Sequence, residues 1–358
     1  MLNQPRRDAR NPIGRTTRRS FLLSGVLGGV GLASPAWILN GSGPPSAKSS
    51  AARSVIIIFN LGGPSHLDLF DMKPEAPSDI RGPFKPIRTV SPDMQISELL
   101  PLHAKVADKF SLVRTCHHFG ATSHEAGTQI MLPPAAFAAS RGRLGQGAVE
   151  CDVNLDIDAV RSETAFDLTG EPAQIRERYG MSAFGQNCLR ARRLVESGTR
   201  FVSINTFRSV FNEITWDIHG TRPFSSMAEM ANIVAPIYDK AYSALIEDLD
   251  ARGLLASTLV CNLAEFGRTP RINAAGGRDH WPHCFTCYFA GGGVRGGRVV
   301  GRSDSLGAEP DDRPVEPDEI IGTIDHCLGL RPEDRLPERV GQLMSAGSRP
   351  HRMIHELF

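Results

Sequence analysis

The sequence predicts an α/β protein built on a mainly parallel sheet flanked by helices. Three observations lead there. Apolar, β-branched runs alternate along the chain with stretches of helical periodicity, the pattern of βαβ units. The first such run, Ser54–Phe59, is apolar without alternation, as a strand covered on both faces must be. The chain has 358 residues, 41% hydrophobic and 22% charged, which is ordinary globular composition with enough length for a sizeable core.

From residue 53 onward the elements follow in order. After Ser54–Phe59, a helix is expected around Ser97–Phe110 and a strand at Ser111–Thr115. Pro133–Thr169 shows neither period and receives no assignment. Pro172–Ser197 reads as helix and Arg200–Asn205 as strand. Ser225–Arg252 reads as one long helix, because Met227, Met230, Val234, Ile237, Ala241, Leu245 and Leu249 recur at helical spacing. Pro236 lacks an N–H and crowds the preceding turn, so it should kink that helix. Thr258–Leu263 is the next strand, Cys284–Ala290 is strand-like, and Pro317–Leu328 is a late helix. No internal repeat is visible.

Ahead of this domain the chain reads as an address. Arg6, Arg7, Arg10 and Arg15 form a basic region, and Thr17-Arg18-Arg19-Ser20-Phe21-Leu22 carries the twin-arginine export pattern. A Gly-rich, weakly apolar stretch from Phe21 to Ala33 follows, then the small-residue site Ala33-Ser34-Pro35-Ala36. That stretch is short for a membrane span, which needs about 20 apolar residues. The expected organisation is a signal peptide over 1–36, a Ser/Ala/Pro-rich linker over 37–52 and the α/β domain over 53–358. The twin-arginine translocase is then a partner during export, and the mature protein is periplasmic or secreted with no membrane span after cleavage.

Lys and Arg number 40 against 39 Asp and Glu, a formal net charge of +1. Six arginines and one aspartate fall within the first 36 residues, so the remainder carries 34 basic and 38 acidic residues, a net charge of −4. Nucleic-acid binders usually show a basic excess, so nucleic acid is excluded as a generic partner. The seven cysteines (116, 151, 188, 261, 284, 287 and 327) lack a disulfide-framework spacing. Cys284 and Cys287 have CxxC spacing without a second pair, and read as buried strand cysteines.

Parallel strands collect ligands at their carboxyl ends, and polar clusters follow the predicted strands repeatedly. Asn60 through Asp68 follows the first, including His66. Cys116-His117-His118 and Ser123-His124-Glu125 follow the second, and Trp216-Asp217-Ile218-His219 follows Arg200–Asn205. Glu265-Phe266-Gly267-Arg268 and Gly277-Arg278-Asp279-His280-Trp281 follow Thr258–Leu263. Asp217, His219, Glu265, Asp279 and His280 are therefore expected to meet in one cleft, with His66, Asp68 and His124 at its edge. Carboxylate and imidazole donors without thiolate suit a divalent Zn, Mn, Mg or Ca ion in an open site. Arg268 and Arg278 would hold an anionic group bidentately, and His124 would ligate metal or act as general acid or base. The alternative needs no ion: Asp279 pairs with Arg278 or Arg268, and His280 and Trp281 pack. Gly291-Gly292-Gly293-Val294-Arg295-Gly296 matches a dinucleotide-binding pattern, but strand-like residues follow it, so it reads as a glycine-rich hairpin. Ser65 and Ser123 lack the nucleophile elbow of α/β-hydrolases.

At these motifs the chain resembles a known family. Phe59–Asp71, Trp216–Gly220, Glu265–Pro270, Gly277–Pro282 and the ending His355–Phe358 occur in order behind the twin-arginine leader. Together they resemble the exported family catalogued as domain of unknown function 1501, from about Arg53 to the C-terminus. That family is similar in fold to the alkaline phosphatase and sulfatase superfamily, which implies a metal-dependent hydrolase of phosphate or sulfate esters, small-molecule or polysaccharide. Asp217 with His219 resembles the superfamily's metal-binding Asp/His motif, and His280, preceded by Asp279, is similar to its last metal-binding histidine. Glu265-Phe266 stands where an Asp-His pair is usual, and Asn60 stands where an acidic residue is usual. His124 lies roughly at the nucleophile's place, and no cysteine has the sulfatase C-x-[PA]-x-R context. The middle segment around Pro133–Thr169 is shorter than in the family pattern. These departures carry the second expectation, a non-catalytic exported binding or assembly protein that retains the fold.

Overall fold

The computed structural model describes residues 52–120, 122–132, 154–155, 163–329 and 352–358. The expected leader and all of the linker except Ala52 lie outside the described residues, as does most of Pro133–Thr169.

The strands that build the central sheet and the site beside it are, in chain order, β1 (Ser54–Phe59), β2 (Phe110–Cys116), β3 (Asn154–Leu155), β4 (Phe201–Asn205), β5 (Thr258–Leu263), β6 (Gly267–Arg268), β7 (His280–Trp281), β8 (Phe285–Ala290) and β9 (Val299–Val300). Seven of them form the central sheet in the order β9-β2-β8-β5-β1-β4-β3, while β6 pairs with β7 beside it. β1 runs parallel to β4 and β5, and β9 runs parallel to β2. β8 is antiparallel to both β2 and β5, and β3 is antiparallel to β4. Five of the seven strands therefore share one direction, and the sheet is mainly parallel. The reversal of β8 has a topological cause: among the described residues no helix lies between Leu263 and Phe285 to carry the chain back across the sheet. It turns at the carboxyl rim through β6 and β7 and re-enters the sheet from that rim.

The main helices are α1 (His66–Leu69), α2 (Pro101–Lys105), α3 (His124–Met131), α4 (Ala173–Tyr179), α5 (Ala183–Glu196), α6 (Ala235–Ala251) and α7 (Pro317–Leu328). β1 explains why both faces of the sheet are covered. Ile56 and Ile58 join one apolar cluster with Leu189, Leu194, Leu245 and Leu249 of α5 and α6. Val55, Ile57 and Phe59 join a second cluster with Ile320, Ile324 and Cys327 of α7 and with Ile354 and Leu357. Successive side chains of a strand point to opposite faces, so a strand between two helical layers must be apolar throughout.

Several elements differ from the sequence expectation. The helix expected at Ser97–Phe110 is only α2 followed by a 3₁₀ turn at Ala107–Lys109, because Ser97 ends a short strand at Gln95–Ser97. Pro172–Ser197 divides into α4 and α5 at Gly180, and the Ser182 hydroxyl caps α5 by accepting from the Gly185 N–H at 3.1 Å. At Pro236, where a kink is expected, the local irregularity is a π turn. Met227–Glu229 leads through a π turn at Met230–Val234 into α6, with the Ala235 N–H donating to the Met230 carbonyl. The wider turn absorbs the missing N–H and the ring of Pro236. The glycine-rich stretch after β8 is a turn rather than a hairpin, since β8 and β9 flank β2 instead of pairing with each other. The six described cysteines are buried. No helix among the described residues is long and apolar enough to cross a membrane.

Candidate metal centre

The carboxyl ends of β1, β2, β4 and β5 share one rim with the start of β8, and the segments leaving them build the site. After β1, Gly62 and Gly63 form a turn at positive φ (108° and 66°). A Cβ on Gly62 would stand 2.9 Å from the Asp217 amide nitrogen, so only glycine lets the turn lie against the 216–217 backbone. The Gly62 N–H donates to Glu265 Oε1 at 2.7 Å. After β2, Ser123 caps α3 and places His124 at its first position. After β4, Asp217–Ser225 closes into a loop, the Ser225 N–H donating to the Asp217 carbonyl and the Gly220 N–H to the Ser225 carbonyl, each at 2.9 Å. The β6–β7 pair sets Arg268 opposite His280. The Arg278 N–H donates to the Ile218 carbonyl at 2.8 Å, which ties this pair to the Asp217 loop. A Cβ on Gly277 would lie 2.3 Å from the Ile218 oxygen, so this contact also depends on glycine.

Asp217 sits at the centre, fully buried. Its Oδ1 lies 2.6 Å from Arg268 Nη2, 3.0 Å from His219 Nε2 and 3.2 Å from His280 Nε2, and its Oδ2 lies 3.2 Å from His124 Nε2. Each imidazole is fixed from behind through Nδ1. His124 Nδ1 is 2.6 Å from Glu265 Oε1, His219 Nδ1 is 2.9 Å from Asp279 Oδ1, and His280 Nδ1 is 2.5 Å from the Thr122 carbonyl. A carboxylate or carbonyl oxygen can only accept, so each Nδ1 carries the hydrogen. All three Nε2 atoms then turn inward, and those of His219 and His280 stand 3.0 Å apart. Were both rings neutral with hydrogen on Nδ1 alone, two Nε2 lone pairs would face each other at that distance and repel unless a metal ion lay between them. His124, Asp217 and His280 offer donor atoms within 4.8 Å of one another, and this group could bind a metal.

The electrostatics follow from the packing. Burial pulls the His124 imidazole down, but hydrogen bonds to Asp217 and Glu265 outweigh it and hold it up at about 9. Burial raises Asp217, yet hydrogen bonds from His124, His219 and His280 and the Arg268 charge hold it far below the usual carboxylate range. Burial lowers His280, and its contact with Asp217 offsets this only in part. For Asp279 burial is again opposed, by hydrogen bonds from His219 and Asn273 that keep the carboxyl low.

The structure brings together Asp217, His219, Glu265, Asp279, His280 and His124. His124 lies at the centre of this group rather than at its edge. Glu265 and Asp279 orient histidines instead of facing the common point. His66 and Asp68 are not in the cluster. His66 Nε2 donates to the Gly307 carbonyl at 2.8 Å, and Asp68 faces Arg278 and the Ser65 hydroxyl. Arg268 and Arg278 are not placed to hold an anion, because both are fully buried. Arg278 donates to both Asp68 oxygens at 2.8 and 3.0 Å and to the carbonyls of Thr269, Ile80 and Pro270, which uses all five of its N–H groups. Arg268 donates to Asp217 and to the carbonyls of Gly62, Gly63 and Arg278. The ion-free alternative fails in its pairing too: Asp279 meets His219, not either arginine. Sequence reasoning missed the Thr122 carbonyl, the Gly62 N–H and Asn273, whose side chain donates to Asp279 Oδ1 at 3.0 Å and to the His219 carbonyl at 3.2 Å.

The family described as "Protein of unknown function (DUF1501)" matches residues 52–142 and 138–358. No curated protein matches the chain in sequence. Among solved structures, the lipoteichoic acid synthase LtaP from Listeria monocytogenes is similar at 10% identity and a TM-score of 0.34, over 80% of this chain and 74% of that one.

Proposed function

The chain belongs to the DUF1501 family of unknown function, and from that premise we propose that its histidine-aspartate centre holds a divalent ion and hydrolyses phosphate or sulfate esters after twin-arginine export. One observation carries the reading: three imidazoles, each with Nδ1–H donated outward, present Nε2 to a single buried carboxylate. Histidines that ligate metal are held by acceptors on the other ring nitrogen in this way. The imidazole-rich set suits Zn²⁺ better than Mn²⁺, Mg²⁺ or Ca²⁺. When bound, such an ion supplies Lewis acidity and lowers the pKa of water at neutral pH.

The residues of the chain do the rest. Glu265 keeps the proton on His124 Nδ1, which leaves Nε2 for the common point or for proton transfer. Asp279 does the same for His219. Arg268 lies behind Asp217 and keeps it ionised, so the carboxylate is a donor at any working pH. Arg278 and Asp68 hold the loops rather than the ester.

Dialysis of the purified mature protein against Zn²⁺ or Mn²⁺ should leave about one ion per chain, with turnover of p-nitrophenyl phosphate or p-nitrophenyl sulfate. His124→Ala and His280→Ala should lose both. No retained ion, or retention unaffected by both variants, would end this reading. A specific observation favours the second one, a metal-holding assembly protein without turnover. Two hydroxyls close to His124 along the chain serve the helix: Ser123 accepts the Ala126 N–H, and Thr128 donates to the His124 carbonyl at 2.6 Å. Ion binding without ester turnover would decide for it.

A further inference from the structure

A row of rings leads from the centre to solvent. The His219 ring lies 4.6 Å from that of Phe224, and Phe224 lies 5.8 Å from Phe211 between centroids. Phe211 is 46% exposed. A single exposed phenylalanine is common and needs no explanation. This one is held in place. Val210 beside it is buried, and the Phe211 N–H donates to Ser209 Oγ at 3.0 Å. The next residue, Asn212, stands at φ 59°, and its N–H donates to the Pro223 carbonyl at 3.1 Å, next to Phe224. A backbone in that region is disfavoured for a residue with a side chain and persists where its surroundings fix it. The bond thus joins the loop after β4 to the loop carrying His219 and presents Phe211 at a set place.

Arg268 and Arg278 are buried, and on this side the His219 ring packs against the ring of Phe224. We propose that Phe224 and Phe211 form a subsite for the ring of an anionic ester whose charged end sits at the histidine-aspartate centre. The inference rests on that centre being an ion-dependent anion site, as proposed above. The shared chemistry is a flat ring face, aryl or sugar, stacked on phenyl rings. Such stacking favours a ring-bearing ligand over its methyl analogue by about 3- to 10-fold.

The test is calorimetric binding to the zinc-loaded full chain. Methylphosphonate and phenylphosphonate form one pair, glycerol phosphate and glucose 1-phosphate the other. At least one ring-bearing probe should bind about 3- to 10-fold more tightly than its partner, and the pair that shows the gain identifies aryl or sugar. Phe211→Ala should abolish the gain while zinc and methylphosphonate affinities stay unchanged, and Phe211→Trp should keep it. Equal affinities within both pairs, or a gain that survives Phe211→Ala and Phe224→Leu, would overturn the subsite alone. If zinc does not bind, or no probe binds the zinc-loaded chain, the anion-site reading falls and the subsite falls with it.

Discussion

Replacing Arg278 separates a buried support from an anion clamp. In Arg278→Met the bidentate pair with Asp68 is lost, along with the N–H groups facing the Thr269, Ile80 and Pro270 carbonyls. Breaking a fully buried ion pair by removing one partner costs roughly 3–5 kcal/mol, because the remaining charge stays buried. The carbonyl losses add to this without full additivity, so about 4 kcal/mol is a conservative figure. That is a large fraction of a typical total of about 5–15 kcal/mol. At roughly 2–4 °C per kcal/mol, the melting temperature should fall by about 10 °C. Circular dichroism melts and urea midpoints of the metal-free protein measure it. The double variant Asp68→Leu with Arg278→Met should recover part of the loss, since an apolar pair leaves no buried charge. Ester turnover lost with a melting temperature within about 2 °C of the parent would show that Arg278 touches substrate, and the buried-support argument would be refuted.

Ion binding at pH 7 should release close to one proton, because metal-free His124 is held up at about 9 and must shed its proton to become a ligand; calorimetry in buffers of different ionisation heat counts it, and zero release contradicts the geometry. The sign for stability is opposite. A raised imidazole stabilises the metal-free fold fully below about pH 6.5, and that contribution fades as pH rises through about 9, so its melting temperature should decline over this window. Gly277→Ala should cost about 2 kcal/mol and weaken ion retention, because the new Cβ meets the Ile218 and His219 backbone, whereas Gly170→Ala, with nothing within 4 Å, should change neither. Replacing Arg18 and Arg19 together by Lys should strand the precursor in the cytoplasm; fractionation showing normal processing outside would remove the export proposal.

The parts legible in the sequence are those whose signal is local. Ser54–Phe59, Thr258–Leu263 and Pro317–Leu328 appear with their expected bounds, since continuous β-branched runs and a Pro-started amphipathic stretch need no tertiary context. Strand direction is not local, so nothing within Phe285–Ala290 shows that it runs backwards. Convergence of Asp217, His219 and His280 was readable from the rule that parallel strands share a rim. The central place of His124 was not, because its partners Asp217 and Glu265 lie 93 and 141 residues away. Burial of Arg268 and Arg278 was hidden for a similar reason: charge is visible in a sequence, but its solvation is not. The Thr122 carbonyl and Gly62 N–H are backbone groups, which almost any residue would supply.

The donors of the centre reach it from three separate segments: His124 after β2, Asp217 and His219 after β4, and His280 in the connection from β5 to β8. His124 lies 93 residues from Asp217, so the full donor set comes together only when segments distant in the chain have packed. An ion that prefers this centre binds the finished fold and ignores every incomplete one, which raises stability by an amount set by free ion concentration over affinity. Ion supply in the compartment of folding would then govern how much of the chain matures. If the proposed export follows folding, loading and quality control would be one measurement, made before departure.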